Sequence, residues 1–556
     1  MERVERVDRI ERITLALAAV ALAAFAIWRV RLGTTFSDDG HYVALAMRLA
    51  GGARVFTDEM NVQALGSLLA VPFTKAWLVL VGVEGIALAL RVFYVVLASA
   101  TGLVAYRCFA PAFGRVSAFA GVVAVLFAPA YNIMSVSYNS IAILGGLLAL
   151  ALAFGAIREE RASLAGLASM FLALASLSYP PLVFAAAWVF FVAVLHSPTR
   201  RVRIAFVVGA VLAAAAVIAF LASVTDVQAI RDTLGMGSAE RSGRLFSLAT
   251  LGEIMLHTGA TLIKPAVLPL VAISAAAAFM PEGSRRRAAL LSIPIAAALP
   301  AALQIVSGGT SESYGVFASS YMVLLTLALA PSLLKRDLLQ SGRDARTVLW
   351  LAGGAGVIGY LIVGLTTNSG WFWGMTFVGL APLSAALVML WVNGLRHRYG
   401  ALTGRWGATL LVVTVVALYG LVVFKTGLPW DMTHHVADGA YAGLLVDERM
   451  GEVIETLQAD TRKLIDDDTE VFVIGNPGAY PVVGGRPYTP VLWHISGPVA
   501  DRTIQYFDDR GRWPEVVVLK PILETWDGLD DPLVERIRRE YRVVGESVGF
   551  TLLVAR

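Results

Sequence analysis

Long apolar stretches separated by short basic clusters recur along the first 430 residues. A membrane-spanning helix needs about 20 mostly apolar residues, and the chain offers a first stretch of this kind at 13–30. Its flank, Trp28-Arg29-Val30-Arg31, has no small-residue cleavage site, so we expect a retained span rather than a secretory signal. Twelve further spans are expected at 86–106, 116–131, 139–157, 163–179, 182–196, 204–224, 259–280, 288–306, 315–334, 347–366, 371–394 and 407–424. The pattern predicts a polytopic α-helical membrane protein with about 13 transmembrane helices.

The basic clusters predict the orientation of these spans. If the N-terminus is inside, each even-numbered span ends at arginines or lysines, as the positive-inside rule requires. The clusters are Arg107/Arg115, Arg158/Arg161, Arg200/Arg201/Arg203, Arg285/Arg286/Arg287, Lys335/Arg336/Arg343/Arg346 and Arg396/Arg398/Arg405. We therefore expect a multi-pass protein of the plasma (inner) membrane with a cytoplasmic N-terminus and an extracytoplasmic C-terminal domain. Residues 31–85 and 225–258 then form outer loops.

The stretch 67–83 is apolar enough to span a membrane. Counting it as a span would place every later basic cluster outside. We therefore interpret it as a re-entrant or juxtamembrane helix at the outer surface, with Lys75 and Trp77 near the lipid headgroups.

The pattern changes after Lys425 to that of a soluble α/β domain. An amphipathic segment at 447–465 and helical stretches at 500–508 and 531–540 alternate with short apolar strands at 470–475 and 515–520. A terminal hairpin is expected to turn at Glu546-Ser547. We predict that 1–430 form a transmembrane domain with a functional first outer loop at 31–85, and that 431–556 form an outer α/β domain with a partly parallel sheet.

Composition supports this division. The chain is 57% hydrophobic and 15% charged, with a mean hydropathy of +0.70, which excludes an ordinary soluble enzyme. The net charge of +4 divides into +13 in 1–430 and −9 in 431–556. Because the bases lie between apolar runs, they indicate membrane topology and no nucleic-acid partner. The single cysteine, Cys108, excludes a disulfide framework.

The first outer loop carries the sharpest chemical signal, FSDDGHY at 36–42. Ser37 is expected to cap a helix from Asp38 to about Leu49, whose first turn suits acidic residues in any case. A second acidic pair, Asp58-Glu59, follows in the same loop. Adjacent helical residues point about 100° apart, so one aspartate would face a reaction centre while the other caps, orients or helps to hold a metal. We favour Asp38 as the base.

These features resemble the GT-C class of membrane glycosyltransferases, which includes protein O-mannosyltransferases, lipid A aminoarabinose transferases and mycobacterial arabinofuranosyltransferases. The resemblance rests on FSDDGHY, on the run VGVEGIALALRVFYVVLASATGLVAYRCFAPAFGR, on the outer α/β domain and on its phrase VFVIGNPGAYPVVGGRPY. It implies inverting transfer of a sugar from a polyprenyl-phosphate donor to an acceptor on the outer face. Asp38 and Asp39 match the acidic pair of the class, and Arg91 matches a basic residue that follows Glu84. The chain lacks a Lys-Pro-Pro-like element, to which only Pro72-Phe73-Thr74-Lys75 comes near.

The implied chemistry assigns roles to further residues. A carboxylate would accept the proton of an attacking hydroxyl, while the leaving polyprenyl phosphate needs positive charge. The candidates for contacting that phosphate are Arg91, Lys75, Lys264, Arg241 and Arg244. A divalent cation, Mg²⁺ or Mn²⁺, could be held by Asp38 or Asp39. The acceptor or metal candidates are Asp58, Glu59, His41 and Tyr42.

Other functions remain open at this stage. The acceptor is expected to be an envelope glycan, lipid or protein, and membrane lipids are expected partners. A lipid-linked sugar transporter or flippase would require ionisable residues at mid-membrane and repeated halves, of which the sequence shows little. A polysaccharide polymerase or ligase would share the expected site.

Overall fold

The computed structural model describes residues 2–129, 133–240, 247–307, 311–334, 342–366, 373–423, 426–493, 498–520 and 532–556. Most of the described chain is helical. The helices are α1 Glu2–Arg29, α2 Asp38–Ala50, α3 Ala64–Ser67, α4 Val71–Leu80, α5 Ile86–Phe113, α6 Arg115–Leu126, α7 Tyr138–Glu159, α8 Ala162–Ser178, α9 Val183–His196, α10 Arg200–Val224, α11 Val227–Glu240, α12 Leu248–Leu262, α13 Leu268–Phe279, α14 Ser284–Val306, α15 Ser311–Leu334, α16 Arg343–Thr366, α17 Trp373–Tyr399, α18 Ala401–Leu421, α19 Glu448–Thr461, α20 Tyr480–Val483, α21 Pro498–Asp509 and α22 Pro532–Glu540. The strands are β1 His434–His435, β2 Leu445–Val446, β3 Glu470–Ile474, β4 Arg486–Pro487, β5 Val516–Leu519, β6 Tyr541–Ser547 and β7 Phe550–Ala555.

Among the described residues, eight helices are long and apolar enough to cross a membrane. They are Arg9–Arg29, Ile86–Phe113, Tyr138–Glu159, Arg200–Val224, Ser284–Val306, Arg343–Thr366, Phe377–Tyr399 and Ala401–Leu421. Five other expected spans coincide with shorter apolar helices, and the stretch 67–83 lies mostly within a further short helical segment, Ala64–Leu80. The integral membrane character is clear from these helices, whereas the count of about 13 stays a prediction.

Two expected segments differ from the structure. The span expected at 259–280 is broken, because α12 ends at Leu262 and α13 begins at Leu268. Pro265 lies in the break; proline has no N–H to donate and disfavours helical backbone in the residue before it. The outer loop expected at 225–258 is also largely helical, since it contains α11 and most of α12.

The expected cytoplasmic loops meet at one end of the helical bundle. Arg158 contacts Asp344, with 3.3 Å between Nε and Oδ2, and donates to the carbonyl of Pro111. Arg405 pairs with Glu11 at 3.0 Å, and Arg398 pairs with Glu282. Helices far apart in sequence therefore place their basic ends together, as the expected topology requires.

The C-terminal segment forms a mixed five-stranded sheet in the order β4-β3-β5-β7-β6. β3 is parallel to β4 and β5, whereas β7 is antiparallel to β5 and β6. The hairpin turn lies at Val548-Gly549 rather than at Glu546-Ser547, because β6 continues to Ser547. Both turn residues have positive φ, 39° and 83°, as a two-residue hairpin turn demands and as glycine tolerates best.

This sheet packs on the opposite end of the bundle from the basic clusters. One hydrophobic core contains Val43 and Leu45 of α2, Leu90 of α5, and Val471 and Val518 of the sheet. Residues 30–85 and the C-terminal segment therefore share an interior. That interior fixes where α2, and with it the acidic pair, lies above the bundle.

Candidate active site

Helix α2 begins at the acidic pair, as the sequence predicts, and ends at Ala50. Ser37 occupies the N-cap position, but its side chain does not cap the helix. Its hydroxyl instead lies 3.0 Å from that of Thr35. Asp38 is half-buried and Asp39 is buried, so the two carboxylates have different surroundings.

Asp39 lies in a buried polar cluster. Its Oδ2 accepts hydrogen bonds from Arg91 Nη2 and, at 2.8 Å, from the Thr34 hydroxyl. Arg91 also donates to the carbonyl of Val30 at 2.9 Å. α5 thus supplies the cation, α2 the anion, and the segment between α1 and α2 the hydroxyl and carbonyl.

Arg29, the last residue of α1, forms the second cation of the cluster, and it was missed from the sequence. Its guanidinium donates to the carbonyls of Tyr419, Val422 and Leu32, with 3.0 Å to that of Tyr419. Only 2% of the residue is exposed. Two buried arginines, Arg29 and Arg91, thus accompany one buried carboxylate, Asp39.

This cluster lines a small pocket of about 30 Å³, together with Thr35 and Met134. Burying a charge is costly unless it is paired, and Asp39 balances only one of the two cations. The described contacts occupy three of the five N–H groups of Arg29 and two of those of Arg91. The pocket therefore presents positive charge that Asp39 does not neutralise, together with hydrogen-bond donors, and both would favour binding of an anion.

An apolar groove of about 490 Å³ lies between α1 and helices α5, α6 and α18. Its α1 wall is a stripe of residues at helical spacing, which includes Ala16, Ala19, Ala23 and Ala26. The stripe runs from Arg12 to Ala26, a rise of about 21 Å at 1.5 Å per residue. Arg29 lies one turn beyond Ala26, so the charged pocket stands at the end of a groove as long as most of a bilayer's apolar core.

The C-terminal segment holds the start of α2 in place. Gly478 N donates to the carbonyl of Phe36 at 2.7 Å, and the Tyr441 hydroxyl donates to the carbonyl of Gly478 at 2.8 Å. The backbones of Gly40 and Gly478 approach so closely that a Cβ on Gly40 would lie 2.5 Å from the Gly478 Cα. Burial raises the pKa of Tyr441, so its hydroxyl remains a neutral donor.

The second acidic pair lies at the far end of α2. Glu59 is fully buried; it accepts from Arg48 Nη1 at 2.7 Å and from the backbone N–H of Leu492 at 3.3 Å. Burial raises the pKa of Glu59 to about 7, against the opposing effect of Arg48. Arg48 also donates to the carbonyls of Asp58 and Thr489. These contacts connect the loop at 58–59 to the C-terminal segment. Glu59 therefore helps to hold the two together.

Aromatic side chains surround the other face of α2. The His41 ring is buried and lies edge-on to Trp493, with 4.7 Å between centroids. Tyr42 packs edge-on against Tyr138 at 6.0 Å, and Tyr138 stacks on Tyr179 at 5.6 Å. His41 and Tyr42 therefore lie beside the acidic pair, as their spacing predicts.

The other expected phosphate contacts lie elsewhere or outside the described chain. Lys75 and Lys264 are exposed, and neither forms an ion pair with another described residue. Arg241 and Arg244 lie outside the described residues. Of the five candidates, only Arg91 is seen in the cluster around Asp39.

The described residues contain no group of three or more His, Cys, Asp or Glu side chains that could hold a metal ion. Mg²⁺ is commonly bound by one or two carboxylates together with substrate phosphates. Asp38 and Asp39 are the two carboxylates at the start of α2, and Asp39 is engaged by Arg91 and Thr34; a divalent cation held there stays a prediction.

Comparison with solved structures returns membrane enzymes at low sequence identity. The chain is similar over 98% of its length to 40% of the arabinofuranosyltransferase AftD from Mycobacteria, with 14% identity and a TM-score of 0.49. It is similar over 92% of its length to 70% of the archaeal oligosaccharyltransferase AglB from Archaeoglobus fulgidus, solved with an inhibitory peptide and a dolichol-phosphate, with 12% identity and a TM-score of 0.44. For ArnT from Cupriavidus metallidurans bound to undecaprenyl phosphate, 97% of each chain is covered, with 15% identity and a TM-score of 0.45.

No protein-family model and no curated protein matches the chain. The TM-scores all lie below 0.5, and the chain spans less than half of the arabinofuranosyltransferase.

Proposed function

We propose that the chain is an inverting glycosyltransferase that moves a sugar from a polyprenyl-phosphate donor to a cell-envelope acceptor on the outer face of the membrane. The observation that carries the proposal is the position of the Arg29–Arg91–Asp39 cluster at the end of the apolar groove. A lipid with a long apolar tail and an anionic head matches this combination of shape and charge.

The two arginines would bind the donor phosphate. Guanidinium groups form charge-assisted hydrogen bonds with phosphate, about twice as strong as neutral ones. In the reaction the bond between the anomeric carbon and the phosphate oxygen breaks, and its electron pair stays on the phosphate. Arg29 and Arg91 would stabilise this developing charge from fixed, water-poor positions, which is where such electrostatic contacts are most effective.

Asp38 would serve as the base. The acceptor hydroxyl attacks the anomeric carbon, and its proton passes to the Asp38 carboxylate as the new bond forms. Asp39 is engaged by Arg91 and Thr34, so its role would be to orient the guanidinium. A single displacement of this kind inverts the anomeric carbon, and the phosphate leaving group requires no second acid, unlike that of a glycosidase.

Reconstitution tests the proposal against transport. The full chain is placed in proteoliposomes with lipid extract from the native envelope, whose polyprenyl-linked sugars are radiolabelled. We expect label to move from the lipid fraction to an acceptor, and to remain in the lipid when Asp38→Asn protein is used. Movement of labelled lipid between leaflets without any transfer would contradict the proposal and favour a flippase.

A further inference from the structure

A second, larger cleft lies at the far end of α2 from the acidic pair. It has a volume of about 880 Å³ and is bounded by the end of α2, the end of α4 and the C-terminal segment. This volume is in the range of ligand-binding sites. Arg48 stands nine residues along α2 from Asp39, a rise of about 14 Å, so the cleft is separate from the pocket at Asp39.

The cleft is lined by charges of both signs in equal number. The basic residues are Arg48, Arg462, Arg486, Arg510 and Arg512, and the acidic residues are Asp58, Glu84, Asp466, Asp467 and Glu470. Several are already fixed by neighbours: Arg512 pairs with Glu470 at 2.9 Å, and Arg510 lies over the Tyr506 ring at 3.6 Å. A balanced lining favours neither a polyanion nor a polycation, since each would meet five charges of its own sign.

The cleft has free space along its walls, and the sheet edge beside it is poorly suited to binding a peptide strand. A Cβ on Gly52 or Gly484 would meet no atom within 4 Å, so space remains at both walls. The strand at its edge, β4, is two residues long and includes Pro487. Proline has no N–H to donate, so this edge cannot extend a hydrogen-bond ladder to an added peptide strand.

We infer that this cleft binds a neutral glycan, as a holding site for the acceptor chain away from the reacting hydroxyl. Fixed guanidinium, carboxylate and amide groups, including Gln458, present both donors and acceptors to a ligand rich in hydroxyls. The inference rests on the proposed glycosyl transfer, because it takes the bound glycan to be the acceptor. It deepens that proposal by naming the acceptor class.

Binding, measured without turnover, tests this inference separately from catalysis. Full-length protein in nanodiscs is titrated with neutral maltohexaose, mannohexaose and arabinohexaose, with an oligogalacturonate of equal length as the anionic probe and an unrelated extended peptide as a further probe. Ala53→Trp fills the cleft, and Ala459→Trp is the matched control on the exposed face of α19. Arg486→Ala is a milder variant, since Arg486 is exposed at the rim.

We expect at least one neutral oligosaccharide to bind the wild type and Ala459→Trp equally. Binding should be lost in Ala53→Trp and weakened about tenfold in Arg486→Ala, as loss of a charged hydrogen bond predicts. Binding that persists in Ala53→Trp, preference for the anionic probe or the peptide, or absence of binding by every neutral probe overturns the inference. Glycan binding by a protein that shows no sugar transfer would overturn the proposed function and leave the cleft as a glycan site.

Discussion

Arg91 and Asp39 form a buried ion pair between α5 and α2, across 52 positions of sequence. The pair engages the second aspartate of the acidic motif and leaves the first, Asp38, half-buried at the helix start. The two acids therefore differ in their surroundings although they are adjacent in sequence. This distinction underlies the first prediction.

Substitution of the two aspartates should have different consequences. Asp38→Asn removes the proposed base, so transfer should fall about 10²- to 10⁴-fold with donor affinity and Tm nearly unchanged. Asp39→Asn removes the anionic partner of buried Arg91, which costs about 3–5 kcal/mol of stability, so Tm should fall as well. Turnover and thermal unfolding of both purified variants check this; equal Tm losses, or full activity of Asp38→Asn, would contradict it.

Arg29, the last residue of α1, should contribute to donor binding. Arg29→Gln keeps hydrogen-bonding capacity but removes the charge, so we expect about tenfold or greater loss of affinity for a polyprenyl phosphate. Arg405→Gln, at the opposite end of the bundle, is the control. Equal affinities of the two variants for the lipid would remove Arg29 from the site.

If the apolar groove holds the donor's tail, the KM for the donor should depend on the length of that tail. Ala23 lines the groove, whereas its neighbour Ala24 is exposed on another face of α1. Ala23→Trp should raise KM for long-chain polyprenyl donors far more than for a short-chain analogue, and Ala24→Trp should alter neither. Measuring KM for donors of two chain lengths tests this prediction. An equal effect of Ala23→Trp on the KM of both donors would exclude the groove as the site of the tail.

Close backbone contact should make Gly478 sensitive to the smallest substitution. A Cβ there would lie 2.6 Å from the Phe36 Cα and 2.8 Å from the Gly40 Cα, so the start of α2 must shift. We expect Gly478→Ala to lower Tm, at about 1–3 kcal/mol, and to lower turnover. Gly353→Ala, where a Cβ meets no atom within 4 Å, is the control and should lower neither.

The buried Glu59 carboxyl is expected to make the stability of the folded protein depend on pH. Because burial raises its pKa from 4.5 to about 7, the folded state binds this proton more tightly than the unfolded chain does. Its stabilising effect is complete below about pH 4.5 and is lost as the pH rises towards 7, by at most about 3 kcal/mol. The Tm of the wild type should therefore fall relative to that of Glu59→Gln over this interval; parallel profiles in thermal unfolding would show that Glu59 does not titrate there.

Local patterns predicted much of the fold. Apolar windows located most long helices, and the acidic motif located the start of α2 at Asp38. The broken helix at 263–267 was missed although Pro265 is visible in the sequence, because the hydropathy window averages over it. The hairpin register was missed by two residues, since positive φ at Val548 cannot be read from a valine.

The site was less predictable because its contacts are long-range. The motif pointed to Asp38 and Asp39, and the resemblance pointed to Arg91, yet the contact of Arg91 with Asp39 depends on how α5 and α2 pack. Arg29 was considered only as part of a flank without a cleavage site; its helical spacing from the small residues Ala19, Ala23 and Ala26 was the signal that could have found it. Glu59 was predicted as an acceptor or metal candidate because it stands in an acidic pair of the outer loop. Its burial against Arg48 is a property of the tertiary structure, which the sequence does not show.

The central claim is that the Arg29–Arg91–Asp39 cluster binds the phosphate of a lipid-linked sugar. Native mass spectrometry of the full chain, released from mild detergent with its co-purified lipids, tests this most directly. We expect a polyprenyl-phosphate sugar bound to the wild type and to Arg405→Gln, and its loss from Arg91→Gln and Arg29→Gln. Only bulk phospholipid on the wild type, or a polyprenyl-phosphate sugar retained equally by all four proteins, would contradict the claim.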